Sequence, residues 1–145
     1  MENKKKEKTK IDIILPNFNS FEFISETVKS VLNQSYKNWK LIIVDDFSDK
    51  KTRSLLKKIS RNKNIKVYFM KKNRGAGFCR NFAIKKSNAQ YLAFIDSDDI
   101  WKKNKLKLQY NFMKNYKLNF SYTQYNAFKE NGFKKIVLPP KKYNF

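Results

Sequence analysis

The sequence predicts an α/β fold with a mostly parallel sheet flanked by helices, and three observations carry that prediction. Short apolar runs at Ile11–Leu15, Leu41–Val44, Ile65–Phe69 and Tyr91–Ile95 are separated by stretches whose apolar residues recur at helical spacing, the alternation that builds a parallel sheet with crossing helices. Leu41-Ile42-Ile43-Val44 is a continuous branched and aliphatic run, as in strands covered on both faces. Each run is also followed by a polar cluster: Pro16-Asn17, Asp45-Asp46, Asn73-Arg74-Gly75 and Asp96-Ser97-Asp98. The C-terminal ends of parallel strands all point one way, and ligands bind there, so the four clusters are predicted to wall one nucleotide or phosphate crevice.

Taken in order, Met1–Lys10 is a lysine-rich arm too polar to order itself. Ile11–Leu15 is the first strand, stopped by Pro16; Pro16–Ser20 is a turn, and Asn19 with Glu22 has the spacing of a capping box. The first helix, with Ile24, Thr27 or Val28, and Val31 on one side, is predicted to reach about Gln34. After the second strand, Ser48 or Asp49 can cap a helix carrying Leu55, Leu56 and Ile59. A third strand and a helix with Phe78, Phe82 and Ala83 follow, then the strand Tyr91–Ile95, read as buried. Leu106, Tyr110 and Met113 mark a fourth helix, which Ser97, Asp98 or Asp99 could cap. Phe120–Tyr125 alternates as a strand, Glu130-Asn131-Gly132 forms a turn, and Lys135–Leu138 pairs back. The expected organisation is a basic arm over 1–10, a nucleotide-binding domain over 11–116, and an incomplete further segment over 117–145.

Composition narrows the chemistry. The 145 residues carry 33 Lys+Arg against 12 Asp+Glu, a formal net charge of +21, which draws a protein to polyanions without choosing among nucleic acid, acidic lipid and phosphorylated small molecules. There is no histidine and one cysteine, Cys79. The commonest general base, the commonest zinc ligand and any internal disulfide are thereby excluded, and a reducing compartment is expected. No apolar run approaches the ~20 residues that span a bilayer, so a cytoplasmic protein is the expectation.

Asp96, Asp98 and Asp99 fall within four residues at the end of an apolar run. Adjacent carboxylates repel, so they shift their pKa values or hold a cation. Mg²⁺ or Mn²⁺, which take one or two carboxylates and the oxygens of a phosphate, suit them. Asp45 or Asp46 can accept from a ribose hydroxyl or a base N–H, or simply cap the next helix. Gly75 and Gly77 give backbone amides room to meet an anion, or merely open a helix. Arg80 can hold a phosphate or be ordinary surface. Phe18 can stack on a base or join the core. Cys79, with no histidine to activate it, reads as a small buried hydrophobe.

The ordered motifs Ile13–Asn19, Ser30–Tyr36, Ile42–Ser48, Asn73-Arg74-Gly75, Arg80-Asn81 and Phe94–Trp101 resemble the family 2 glycosyltransferases, whose GT-A fold is the Rossmann-like fold of nucleotide-diphospho-sugar transferases. The resemblance covers about Ile11 to Met113. It implies transfer of a sugar, here from a UDP-sugar, to a glycan or lipid-linked acceptor in surface polysaccharide synthesis. Donor-nucleotide contacts are implied at Pro16, Asn17, Phe18, Asn19, Asp45, Asp46, Asn73, Gly75, Arg80, Asp96 and Ser97. The metal falls to Asp98, with Asp96 nearer the ribose, and the cofactor is Mg²⁺ or Mn²⁺. Phe18 stands where the family usually has Tyr, and Phe47 where Gly is frequent.

One departure bears on catalysis. The family supplies a general-base Asp from an acceptor-side half, but after Asp99 this sequence has no Asp, and Glu130 is its only remaining acid. The expectation is a chain truncated after the donor-binding half, with the catalytic base absent. Two rival readings compete. A haloacid-dehalogenase-type phosphatase would use Asp96 as nucleophile, but its motif belongs near the N-terminus. A non-catalytic basic module would bind nucleic acid or membrane through its charge, but leaves both Asp clusters unexplained. Nucleic acid is not the expected partner; peripheral contact with an anionic membrane, on its inner face, is.

Overall fold

In the computed structural model, which describes residues 10–128, 132 and 134–138, the chain divides after Lys107 into two compact units. The first contains four parallel strands: β1 (Ile11–Asn17), β2 (Trp39–Asp45), β3 (Ile65–Phe69) and β4 (Tyr91–Phe94). Helices α1 (Ile24–Leu32), α2 (Lys50–Ile59) and α3 (Ala76–Lys86) connect them, and α4 (Lys105–Asn115) follows β4. The sheet order is β3-β2-β1-β4. The chain therefore walks outward from β1 to β3 and then returns to β1's other side, which makes the gap between β1 and β4 the switch point of the sheet.

Strand faces explain the helices. Ile14, Ile42 and Val44 form one buried cluster with Cys79 and Ala83 of α3, with Tyr68, Met70 and Phe82 packed against it. Ile13, Leu15, Leu41 and Ile43, one residue out of phase, are also fully buried and line the opposite face, because strand side chains alternate. Burial on both faces is what the unbroken aliphatic run in β2 predicted. Burial also pushes the Cys79 thiol up to about 12, with the negative charge of Asp46 adding to the effect, so Cys79 is a neutral core residue.

Several expectations are corrected. Pro16 does not stop β1: it lies inside the strand, opposite Val44. By alternation its missing N–H faces the β4 side, where pairing ends at Ile14 and Phe94, so no ladder bond is lost. The Asn19–Glu22 capping box does not form. α1 starts only at Ile24, after a turn closed by Ser20 carbonyl bonds to the amides of Phe23 and Ile24, with no side-chain cap, and it ends at Leu32 rather than Gln34. Asp49 does cap α2, accepting from the Thr52 amide at 2.7 Å. None of Ser97, Asp98 and Asp99 caps α4, which begins at Lys105. β4 is an edge strand rather than a buried one: Leu92 and Phe94 are exposed.

The second unit carries the hairpin strands β5 (Tyr125–Phe128) and β6 (Lys134–Val137), antiparallel with Tyr125 opposite Val137. The expected strand from Phe120 starts only at Tyr125; before it, Ser121 is engaged by the side chain of Gln109 in α4, which donates to its carbonyl and its hydroxyl. The turn residues Glu130 and Asn131 lie outside the described residues.

Candidate donor site at the strand ends

The site is built from four loops at the C-terminal ends of the strands. Asn17, the last residue of β1, sits beside Asp45, the last residue of β2. Its buried amide donates to Asp45 Oδ1 at 2.9 Å and to Ser48 Oγ at 3.2 Å, and its Oδ1 accepts from the Ser20 hydroxyl. Asn19 adds two bonds, from its amide to Ser48 Oγ at 2.9 Å and from the Asp49 amide to its Oδ1 at 2.8 Å. The β1 and β2 loops are thus laced together by side chains.

The two central carboxylates have separate duties. Asp45 is fully buried; besides Asn17 it accepts from the Ser48 amide, and Arg53 Nε lies 3.7 Å from its Oδ2. Asp46 accepts from the Arg74 amide at 2.8 Å and the Gly75 amide at 2.7 Å, so it fixes the Asn73–Gly75 loop at the start of α3. Asn73 adds a bond to the Asp46 carbonyl. Gly75 caps α3 at φ +86°, a conformation that strains any residue with a Cβ. Gly77 lies within the first turn of α3. Neither Asp45 nor Asp46 leaves a carboxylate open to water, a result the adjacent letters Asp-Asp do not reveal.

Phe18 and Phe47 stand half-exposed at 52% and 50% on either side of this laced pair in sequence. Phe18 is therefore not a core aromatic, and its ring is open to stacking. Phe47 is held at φ +67°, a left-handed backbone that costs an L-residue about 1–2 kcal/mol. Phe47→Gly is expected to raise stability by about 1 kcal/mol, read as a higher urea midpoint at unchanged slope; a lower midpoint would show that the ring packs usefully.

At the switch point, Arg80 of α3 reaches across to form an ion pair with Asp96 at the end of β4, both side chains partly in solvent at 35% and 56% exposure. An exposed pair is worth only about 0–1 kcal/mol, so an incoming phosphate can take the guanidinium. Asp98 is exposed in the turn that follows. The Asp99 carboxyl is raised above its usual range, by burial first and then by the charges of Asp96 and Asp98. Beyond it, Lys105 is held down to about 8 by burial, against the pull of Asp99, and its ammonium lies 3.9 Å from the centre of the Trp101 ring. Asp96, Asp98 and Asp99 do not converge on a common point: among the described residues no three His, Cys, Asp or Glu side chains make a metal cage. What remains fits a hard divalent ion that keeps water and phosphate ligands and takes one or two carboxylates, with Asp98 open and Asp96 shared.

The acidic loop is positioned by three polar residues of α1 and its exit. Thr27, Ser30 and Gln34 follow one another along one side of α1 and its exit, all buried, and each bonds to the backbone of the loop. Thr27 Oγ1 donates to the Ser97 carbonyl at 2.9 Å, and Ser30 Oγ accepts from the Trp101 amide at 3.1 Å. Gln34 donates to the Lys102 carbonyl at 2.9 Å and accepts from the Leu106 amide at 3.0 Å. Their signal in the sequence is polar residues spaced 3 and 4 apart, the period of one helix face, although Thr27 alone also fits the apolar stripe.

A sequence model described as Glycosyl transferase family 2 matches residues 12–144. TuaG of Bacillus subtilis, a glycosyltransferase assigned to teichuronic acid biosynthesis, is 40% identical over 123 residues, which cover 84% of this chain and 49% of TuaG. WfgD of Escherichia coli, a UDP-Glc:α-D-GlcNAc-diphosphoundecaprenol β-1,3-glucosyltransferase, is 35% identical over 135 residues, 93% of this chain and 53% of WfgD. The chain spans about half the length of these relatives. The crystal structure of S. aureus TarS 1–349 in complex with UDP-GlcNAc superposes with a TM-score of 0.68 at 34% identity, over 73% of this chain and 31% of that one. The family model covers most of the chain, the phosphatase and nucleic-acid readings find no support, and the chain belongs to glycosyl transferase family 2.

Proposed function

We propose that the strand-end crevice binds a UDP-sugar and serves sugar transfer to a glycan or lipid-linked acceptor in surface polysaccharide synthesis, at the cytoplasmic face of the membrane. The observation that carries the reading is, at the switch point, a displaceable arginine (Arg80, paired with Asp96) and an open carboxylate (Asp98) two residues beyond that partner, together with the β1 and β2 loops laced by side chains. The UDP-GlcNAc complex of the similar TarS supports the choice of donor, and the lipid-linked acceptor in the name of WfgD supports the acceptor class.

In this reading Asn17, Asn19 and Asp45 shape the nucleoside pocket beside Pro16, with Phe18 as the stacking ring. Asp46 acts through the Asn73–Gly75 loop, turning it toward the donor, and Arg80 leaves Asp96 to hold the diphosphate while Asp96 and Ser97 border the ribose. Asp98, with Asp96, would hold Mg²⁺ or Mn²⁺, divalent metals being common in this family. Such an ion, when bound, supplies positive charge to the diphosphate and so stabilises the leaving nucleotide.

Transfer by an inverting route needs a base within hydrogen-bond reach of the acceptor hydroxyl. No histidine exists, Asp45 and Asp46 are spent on protein partners, Asp96 and Asp98 are assigned to donor and metal, and Asp99 stands beside those two, against their charges, on the donor side rather than the acceptor side of this reading. Glu130 lies outside the described residues. The 145-residue chain is therefore expected to bind UDP in the presence of Mn²⁺ and to release UDP from a UDP-sugar no faster when acceptor is added. Calorimetry and a UDP-release assay check the two halves, against a version extended by the C-terminal half of a relative. Absence of UDP binding would remove the donor-site reading; acceptor-stimulated turnover by the chain alone would mean that it contains a base.

A further inference from the structure

The sequence from Lys50 to Ile95 contains no Asp or Glu at all. Cations along this stretch therefore have few acids to meet. Helix α2, Lys-Lys-Thr-Arg-Ser-Leu-Leu-Lys-Lys-Ile, puts Leu56 and Thr52 into the protein and leaves Lys50, Lys51, Lys57 and Lys58 exposed. Lys51 meets Glu22 of the α1 approach at 3.3 Å, but among the described residues no carboxylate lies within ion-pair distance of Lys50, Lys57 or Lys58.

These lysines frame a feature. Lys50, Arg53, Ser54 and Lys57, spaced as one helix face, line an open groove of about 410 Å³, large enough for a phosphate group. Arg53 sits at its inner wall, with its guanidinium 5.1 Å from the centre of the Phe69 ring and its Nε turned to buried Asp45. Arg53 is thus fixed in place by the nucleoside pocket, while the lysines on either side are free to move. The strand beside α2 is β3, an edge strand, and Lys71 and Lys72, just past its end, are exposed.

We propose that the α2 flank is a docking surface for an anionic lipid bilayer, with the groove between Lys50, Arg53, Ser54 and Lys57 seating a lipid phosphate. Charge complementarity carries the assignment: basic residues close to a negative surface each add attraction, and α2 carries five of them in ten residues, with Asp49 tied up as its N-cap and Glu22 held by Lys51. The idea is consistent with a lipid-linked acceptor but does not need one. Its test uses no nucleotide, so its failure and that of the donor-site reading are separate.

The experiment is sedimentation of the full chain with vesicles of phosphatidylcholine alone or mixed with phosphatidylglycerol. Lys50→Gln/Lys57→Gln is compared with Lys85→Gln/Lys86→Gln, an equal loss of charge from exposed positions on α3. Arg53 is left intact because it braces Asp45. Each lysine near the surface is worth about fivefold in binding, so the α2 variant is expected to lose roughly 25-fold in partition onto the mixed vesicles, and the α3 variant little. Equal losses in both variants would overturn the proposal in favour of diffuse charge. So would equal partition of the unaltered chain onto both vesicle types. Tighter binding to a duplex oligonucleotide, lost with the same α2 lysines, would assign the flank to nucleic acid and overturn it too.

Discussion

Asp98→Ala is expected to weaken Mn²⁺-dependent UDP binding by on the order of 100-fold or more, since even groups that only support a metal ligand cost 10–100-fold when removed. The fold is expected to be untouched. Asp98 is exposed and, among the described residues, no hydrogen bond or ion pair of its side chain holds another element, in contrast to Asp45 and Asp46, whose carboxylates join loops. Binding of UDP measured by calorimetry with Mn²⁺, and thermal unfolding measured without ligand, separate these two effects. Unchanged affinity would move the metal away from the loop after β4. A lowered melting temperature would mean instead that Asp98 holds the loop itself.

The second large effect is expected at a residue that touches no ligand. Gln34→Leu keeps the side chain's bulk but removes its bonds to the Ser30 and Lys102 carbonyls and to the Leu106 amide. Leaving a buried backbone donor or acceptor unsatisfied costs about 1–3 kcal/mol for each group, so a loss of about 3–5 kcal/mol is expected. Gln34 and its bonds to the Ser30 carbonyl and the Leu106 amide are buried, so water cannot replace the partner of those two groups. The same substitution frees the loop that carries Asp98, and Mn²⁺-dependent UDP binding should fall even at temperatures where the variant remains folded. Urea unfolding gives the first number and calorimetry on the folded variant gives the second. If stability falls while UDP affinity holds, Gln34 supports α4 alone and the loop is held by Thr27 and Ser30.

The contrast between these two residues marks what could be read from the chain alone. Four apolar runs, each followed by polar residues, determined the parallel sheet and the end of it that carries chemistry, because side-chain burial on both faces and the shared direction of parallel strands are local consequences of sequence pattern. Asp98 belongs to that level: an exposed carboxylate in a turn after a strand needs no tertiary contact to be recognised.

The tertiary structure decided the rest. Asp45 and Asp46 look equivalent as letters, yet one is sealed against Asn17 and Arg53 and the other is bent onto the Arg74 and Gly75 amides. Partners as far as 28 and 29 residues away in sequence make that distinction. Pro16 reads as a strand stop until the neighbour on its N–H side is known to end at Phe94. Thr27, Ser30 and Gln34 form a row on a helix face, but its purpose exists only where Ser97, Trp101 and Lys102 are brought against it. Periodicity and strand direction, both legible along the chain, set which elements form and which end carries the site; packing alone sets which polar groups stay open to a ligand and which are spent holding the site together, since that depends on what the fold places beside them.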